Sequence, residues 1–150
     1  IYTVMKRILI CGLPDSGKTW ISSRLSAALK IPHNNADQIR KKLDDWDFSY
    51  EGRLRQAKRM SQLNGVLDFV CPLQEFRDLV KPDYIIWMDK KNSKYEDTNK
   101  IFEPLNKYDI RITKWITESL LYKCLEDINH GMMDIPNFSK ELTEKLARLQ

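Results

Sequence analysis

The sequence predicts an α/β fold, a mostly parallel sheet with helices on both faces. Three observations point there. Short apolar, β-rich runs alternate with segments of helical period along the chain. A glycine-rich phosphate-loop pattern lies between the first such run and the first helix. Polar or proline-marked motifs follow the strands, where sheets of this kind bind ligands. At 150 residues the chain reads as one domain, residues 1–150.

Taken in order, Ile8 to Ile10 is a short apolar strand and Gly12 to Thr19 is the loop. Thr19 to Leu29 carries Ile21, Leu25, Ala28 and Leu29 at helical spacing, and Pro32 ends that helix. Ile31 to Asn34 reads as a short connection. Asn35 is placed as an N-cap, with Gln38 three residues on, starting a helix to about Leu43. Asp44 to Ser49 is a loop carrying Trp46 and Phe48. Tyr50 to Leu63 is a second helix, with Leu54, Ala57 and Met60 facing in. Val66 to Cys71 is a strand; Pro72 stops it and opens a helix through Val80. Asp83 to Met88 is a strand, Lys90 to Thr98 is polar and irregular, and Asp109 to Ile112 is a short strand. Trp115 to Ile128 is an amphipathic helix with Ile116, Leu120, Cys124 and Ile128 on one stripe. Gly131 and Pro136 break the chain. Ser139 then caps a last helix with Leu142, Leu146 and Leu149 on one face.

Composition narrows the class. Hydrophobic residues make up 42% and charged residues 31%, which suits a soluble globular chain rather than a disordered one. The formal charge of +4 suits an anionic ligand without calling for nucleic acid. Cys11, Cys71 and Cys124 have neither zinc nor disulfide spacing and read as free thiols in a reducing compartment. No apolar run approaches the ~20 residues of a membrane span. Ile1 to Met5 is too short for a signal peptide. The expected location is the cytoplasm, with no membrane partner.

Gly12-Leu13-Pro14-Asp15-Ser16-Gly17-Lys18-Thr19 fits G-x-x-x-x-G-K-[ST], the Walker A pattern. Gly12 and Gly17 are expected to take backbone angles that a side chain forbids. N–H groups of the loop and the following helix then face phosphate oxygens. Lys18 supplies a charge to the β/γ-phosphates, and the Thr19 hydroxyl is placed for Mg²⁺. The expectation is an ATP-binding P-loop NTPase/kinase fold with a short lid.

A second constellation follows. Asp37 and Arg40 lie three apart at a helix start, hence on one face. Asp37 can orient or deprotonate an attacking hydroxyl, and Arg40 can hold an anionic group on the acceptor. The plainer alternative is an ordinary i,i+3 ion pair. Arg53 and Gln56 share a face of the next helix, with Phe48 on the loop before it. An aromatic ring beside arginines suits a base and its phosphates. Arg55 and Lys58 read as a solvated basic face. Lys94, with Lys90 or Lys91, is a candidate lid cation. Asp89 is a candidate hinge residue rather than a ligand. His33 and His130 have no partner pattern and read as surface or structural.

In order, these blocks resemble adenylylsulfate kinase (APS kinase). Asn-Ala-Asp-Gln-Ile-Arg, Asn35 to Arg40, is similar to that family's Asp-Gly-Asp-Asn-x-Arg. Phe-Ser-Tyr-Glu-Gly-Arg-Leu-Arg-Gln, Phe48 to Gln56, is similar to its Phe-Ser-x-x-Asp-Arg-x-x-Asn. Phe69 to Arg77, with Cys71 and Pro72, is similar to its Ile-Ser-Pro-x-x-x-x-Arg block. With the Walker A loop the resemblance spans about Ile8 to Arg77, half the chain. It implies direct in-line transfer of the ATP γ-phosphate to the 3′-hydroxyl of adenylylsulfate, with Mg²⁺. Asp37, Arg40, Phe48, Arg53, Gln56, Cys71 and Pro72 would line the acceptor pocket. Arg40 and Arg53 would meet the phosphosulfate, and Phe48 the adenine. Asn35 stands where the family has its first Asp, Gly52 replaces Asp, and Gln56 replaces Asn. Cys71 replaces a Ser, so no phosphoserine route passes through it. A homodimer remains open. Rival readings stand beside this one: a polynucleotide 5′-kinase-like enzyme or another small-molecule P-loop kinase, and a P-loop domain that binds ATP without turnover.

Overall fold

The computed structural model describes residues 7–90, 96–114 and 118–131. In chain order the elements are β1 (Arg7–Gly12), α1 (Lys18–Leu29), β2 (His33–Asn35), α2 (Ala36–Leu43), α3 (Tyr50–Met60) and β3 (Gly65–Phe69). There follow α4 (Gln74–Val80), β4 (Tyr84–Met88), α5 (Glu96–Ile101), β5 (Ile110–Ile112) and α6 (Glu118–Gly131). The strands form one sheet in the order β2-β3-β1-β4-β5. Every pairing is parallel. The expected α/β architecture is therefore present.

Alternation along β1 builds two cores. Ile8 and Ile10 pack with Ile21, Leu25, Ile86, Leu121 and Ile128, on the face that α1 and α6 cover. Leu9 and Cys11 pack with Ala57, Met60, Leu67, Phe76 and Val80, under α3 and α4. Burial on both faces explains why the central strands read as continuous apolar runs. The chain steps outward from β1 in one direction to β3 and β2, and in the other to β4 and β5. The crevice at the carboxyl end of β1 is thus the switch point where such sheets bind ligands.

Local chemistry fixes the helix starts. Asn35 Oδ1 accepts from the Asp37 N–H at 2.9 Å and the Gln38 N–H at 3.1 Å, so the expected cap is formed. Ser49 Oγ accepts from the Gly52 N–H at the start of α3. Several elements differ from expectation: β3 ends at Phe69 rather than Cys71, α4 begins at Gln74 rather than Pro72, and α6 runs on to Gly131, which was expected to break the chain. Residues 33–34, expected as connection, join the cap residue Asn35 to pair with Val66, Leu67 and Asp68 as β2. A three-residue polar edge strand carries no alternation to read. The α3 helix stops at Met60 rather than Leu63. Part of the stretch expected to be irregular is α5, which buries no residue and so shows no apolar period. The helix expected from Ser139, Pro136, and the candidates Lys91, Lys94 and Trp115 lie outside the described residues, as does the His130 side chain. Among the described residues, no helix is long and apolar enough to cross a membrane.

Candidate active site

The loop between β1 and α1 turns at the carboxyl end of the sheet. Gly17 is the N-cap of α1 with φ +95, the left-handed conformation expected of it. Gly12 differs, since its φ is not positive. A Cβ there would lie 2.5 Å from the Met88 carbonyl oxygen and 3.0 Å from Ser16 Oγ. Close approach of β4, not backbone angle, excludes a side chain at Gly12. Lys18 Nζ donates to the Leu13 carbonyl at 2.7 Å and is buried within the loop. Burial pushes its pKa below the ordinary lysine value, against the pull of Asp68, Cys11, Asp37 and Asp15. Ser16 Oγ is buried with no hydrogen-bond partner among the described residues. A loop holding an orphaned hydroxyl and a desolvated ammonium suits an anion.

Three side chains meet at Asp68, on β3. Its Oδ2 accepts from Thr19 Oγ1 at 2.8 Å and from Asn35 Nδ2 at 3.1 Å, and His33 Nε2 lies 3.1 Å away. Asp68 is only 4% exposed. The parallel register sets Asn35 opposite Asp68, which brings the ends of β2 and β3 to the P-loop threonine. Asp68 thus sets a carboxylate beside Asn35 from the adjacent strand. Asp68 was not among the residues expected from sequence. Its signal was an acid inside a fully buried strand, Gly65–Phe69. Thr19 and Asp68 offer hard oxygens, and Mg²⁺ is commonly held by one or two carboxylates with substrate phosphates, so this pair fits Mg²⁺. Among the described residues no cluster of three His, Cys, Asp or Glu forms an all-protein metal cage.

An open cleft of about 1610 Å³ runs from this loop across the sheet edge. Pro14 to Thr19, Asp37, Arg40, Phe48, Arg53 and Pro72 all line it, as expected for one site. Trp46, Asp68 and Lys90 line it too. Leu13 contributes its carbonyl to Lys18 from behind the loop. Asp37 is exposed to the cleft in the first turn of α2.

Two expected residues lie elsewhere. Gln56 is fully buried, and its Nε2 donates to the Ala36 carbonyl at 2.9 Å while its Oε1 accepts from Arg59. It ties α3 to α2 rather than facing the cleft. Cys71 is also fully buried, and neither it nor Gln56 lines the cleft. Its carbonyl accepts from buried Arg77, which also donates to the carbonyls of Pro72 and Glu103. Burial raises all three cysteine thiols, Cys11 to about 11 and Cys124 to about 12. None forms a disulfide.

Arg40 carries a duty that sequence did not show. Its Nη1 donates to the carbonyls of Asp45 and Asp47, at 2.9 and 3.1 Å, and its guanidinium lies 4.4 Å from the Phe48 ring centre. Arg40 is 4% exposed, so burial lowers its pKa. Arg53 Nε donates to the Phe48 carbonyl at 2.8 Å, with its guanidinium 5.3 Å from the same ring. Arg55 is exposed on α3, as expected, but it is ion-paired as well. It pairs with Asp45 at 2.8 Å and with Asp47 at 3.2 Å. Asp89 pairs with Arg111, whose guanidinium stacks over Trp87.

No protein-family model matches this chain, and no curated protein sequence does. Solved structures do. The APS kinase of Mycobacterium tuberculosis, in complex with AMPPNP and APS, matches with a TM-score of 0.66. It is 17% identical, and the match covers 83% of this chain and 98% of that one. The shikimate kinase of Aquifex aeolicus matches with a TM-score of 0.60 at 18% identity, over 86% of this chain and 99% of that one.

The chain has the P-loop kinase fold. A sugar kinase from Janibacter sp. is similar as well, with a TM-score of 0.64 at 13% identity over 88% of this chain and 96% of that one. At these identities the likeness is one of fold, and the P-loop kinase fold serves acceptors of several kinds.

Proposed function

We propose that this chain is an ATP-dependent phosphotransferase that moves the γ-phosphate to a hydroxyl of a small-molecule acceptor, with adenylylsulfate as that acceptor. One observation carries the reading. The P-loop with Lys18, the Thr19–Asp68 pair and the exposed carboxylate of Asp37 all open into one cleft. That supplies a phosphate cradle, a metal-fitting oxygen pair and a group for the attacking hydroxyl.

Phosphoryl transfer asks the protein mainly for positioning and for neutralising charge. The loop N–H groups and Lys18 hold the β/γ-phosphates; Lys18 exchanges its bond to the Leu13 carbonyl for phosphate oxygen. Thr19 and Asp68 would hold Mg²⁺, which neutralises charge on the phosphate oxygens when bound. Asp37 orients the acceptor hydroxyl in line and accepts its proton. Arg53, beside Phe48, faces the acceptor's anionic group. Lys90 lies near Gly17, its Nζ 4.0 Å from where a Cβ would stand, and adds a cation over the loop. The sequence blocks from Asn35 to Arg77 support adenylylsulfate over shikimate or a sugar.

A polynucleotide acceptor is less well supported. Arg55 and Arg59, the cations that would have met a nucleic-acid backbone, are paired with Asp45. The test offers Mg²⁺-ATP with adenylylsulfate, shikimate, an oligonucleotide 5′-hydroxyl or no acceptor, and follows ADP. ADP release with adenylylsulfate, lost in Asp37→Ala, is the expected result. ATP binding without acceptor-dependent ADP overturns the reading in favour of a binding domain.

A further inference from the structure

Asp68 stands among buried apolar residues of β3, where a carboxylate is tolerated only when donors meet its oxygens. Every side-chain hydrogen bond that reaches it from the described residues falls on one oxygen, Oδ2. Thr19 Oγ1 donates at 2.8 Å, Asn35 Nδ2 at 3.1 Å, and His33 Nε2 stands at 3.1 Å. A carboxylate oxygen only accepts, so the hydrogen of the third contact is on Nε2. Asn35 has a second task, since its Oδ1 caps α2 through the N–H groups of Asp37 and Gln38. His33 lies two residues before Asn35 on β2, so both side chains leave the same face of the strand. Thr19 and Asp68 line the cleft and His33 does not.

We infer that His33 is a positioning residue for the metal position of this site. Its Nε2–H holds the Asp68 carboxylate by Oδ2 and leaves Oδ1 as the oxygen for a cation beside Thr19. The torsion that turns a carboxylate about its own axis is soft. One donor from β2 leaves that rotation open; two donors from neighbouring positions of the strand fix it. Asn35 is already committed to α2, so the imidazole supplies the second hold. The inference rests on the phosphotransferase reading only for what the cation serves. It adds a residue that lies before the sequence blocks from Asn35 to Arg77 and that read as surface or structural.

The experiment titrates ATP by calorimetry with and without Mg²⁺, with no acceptor, on wild type, His33→Leu and His33→Gln. Gln offers an amide N–H in place of imidazole Nε2, whereas Leu fills space and donates nothing. The Mg²⁺-dependent gain in ATP affinity is expected to fall about tenfold in His33→Leu, the scale of losing an outer partner of a metal ligand, and largely to return in His33→Gln. Affinity without Mg²⁺ is expected to be the same in all three, because the loop and Lys18 are untouched. A merely structural His33 would lower the urea midpoint and leave the Mg²⁺ gain alone. No gain in wild type, an unchanged gain in His33→Leu, or no recovery in His33→Gln overturns the inference. A His33-dependent gain in a protein that forms no ADP with any acceptor would leave the role of His33 standing and remove the phosphotransferase reading.

Discussion

Thr19 and Asp68 meet at the mouth of the sheet, the threonine hydroxyl donating to Asp68 Oδ2 at 2.8 Å. Forty-nine residues of chain separate them. The bond joins the first turn of α1 to β3, and it gathers the oxygens that a magnesium ion bound to ATP would use. Asp68→Asn keeps the shape and the bonding capacity of the side chain but removes its charge. The Mg²⁺-dependent gain in ATP affinity should fall by about tenfold or more. Titration of ATP with and without Mg²⁺ checks this, and an unchanged gain would show that Asp68 serves only the fold.

Lys18 gives a pH signature. Its folded-state pKa is lowered by burial, so the unfolded chain binds this proton more tightly. Wild-type stability therefore gains relative to Lys18→Met as pH rises through the lowered folded pKa toward the free value of 10.5. Urea melts of both proteins at pH 7 and pH 10 measure the difference. A gap that stays constant, or moves toward the variant, contradicts the burial argument.

Gly52→Ala should destabilise by about 1–3 kcal/mol, because the obstacle is the Asp47 backbone rather than a side chain that can swing away. The denaturation midpoint reports it. Acceptor affinity should fall as well, since the same contact seats the loop that carries Phe48.

Arg77→Ala should cost about 3 kcal/mol or more, as it strips the carbonyls of Cys71, Pro72 and Glu103 of a buried charged donor. Arg77→Lys should recover little, because one ammonium cannot span three carbonyls that the planar guanidinium reaches. Thermal melts of the pair distinguish a geometric requirement from one of charge alone.

The thiols should be silent in the folded protein. With Cys11 near 11 and Cys124 near 12, and Cys71 raised by burial, a thiol reagent at pH 8 finds little thiolate. Reaction should track global unfolding in urea. A fast phase in native buffer would contradict the burial of one of the three.

Much of this fold was legible because its signals are local. Gly17 needs a positive φ that the motif announces, Asn35 sits two and three residues from the N–H groups it caps, and α1 shows its apolar stripe. The signals that stayed hidden are long-range or short of a period. His33–Asn35 is too brief and too polar to alternate. Helix α5 has no buried face. Asp68 went unread because only the parallel register, which no local spacing shows, sets it against Asn35 and Thr19. Gln56 shares a helix face with Arg53 in the sequence, yet α2 packs over it and takes its amide. Arg55 is solvated as its helix face suggests, but its ion pairs stayed hidden because Asp45 and Asp47 lie on the preceding loop, outside any helical spacing.

The proposed reaction moves phosphate from ATP to a hydroxyl in this cleft. Phosphate-labelled Mg²⁺-ATP, incubated with the protein and adenylylsulfate, tests it most directly. Label is expected on the 3′-position of the acceptor with equal release of ADP, and neither product from Asp37→Ala. Bound ATP that keeps its label in the presence of adenylylsulfate, with every other acceptor equally inert, would contradict it.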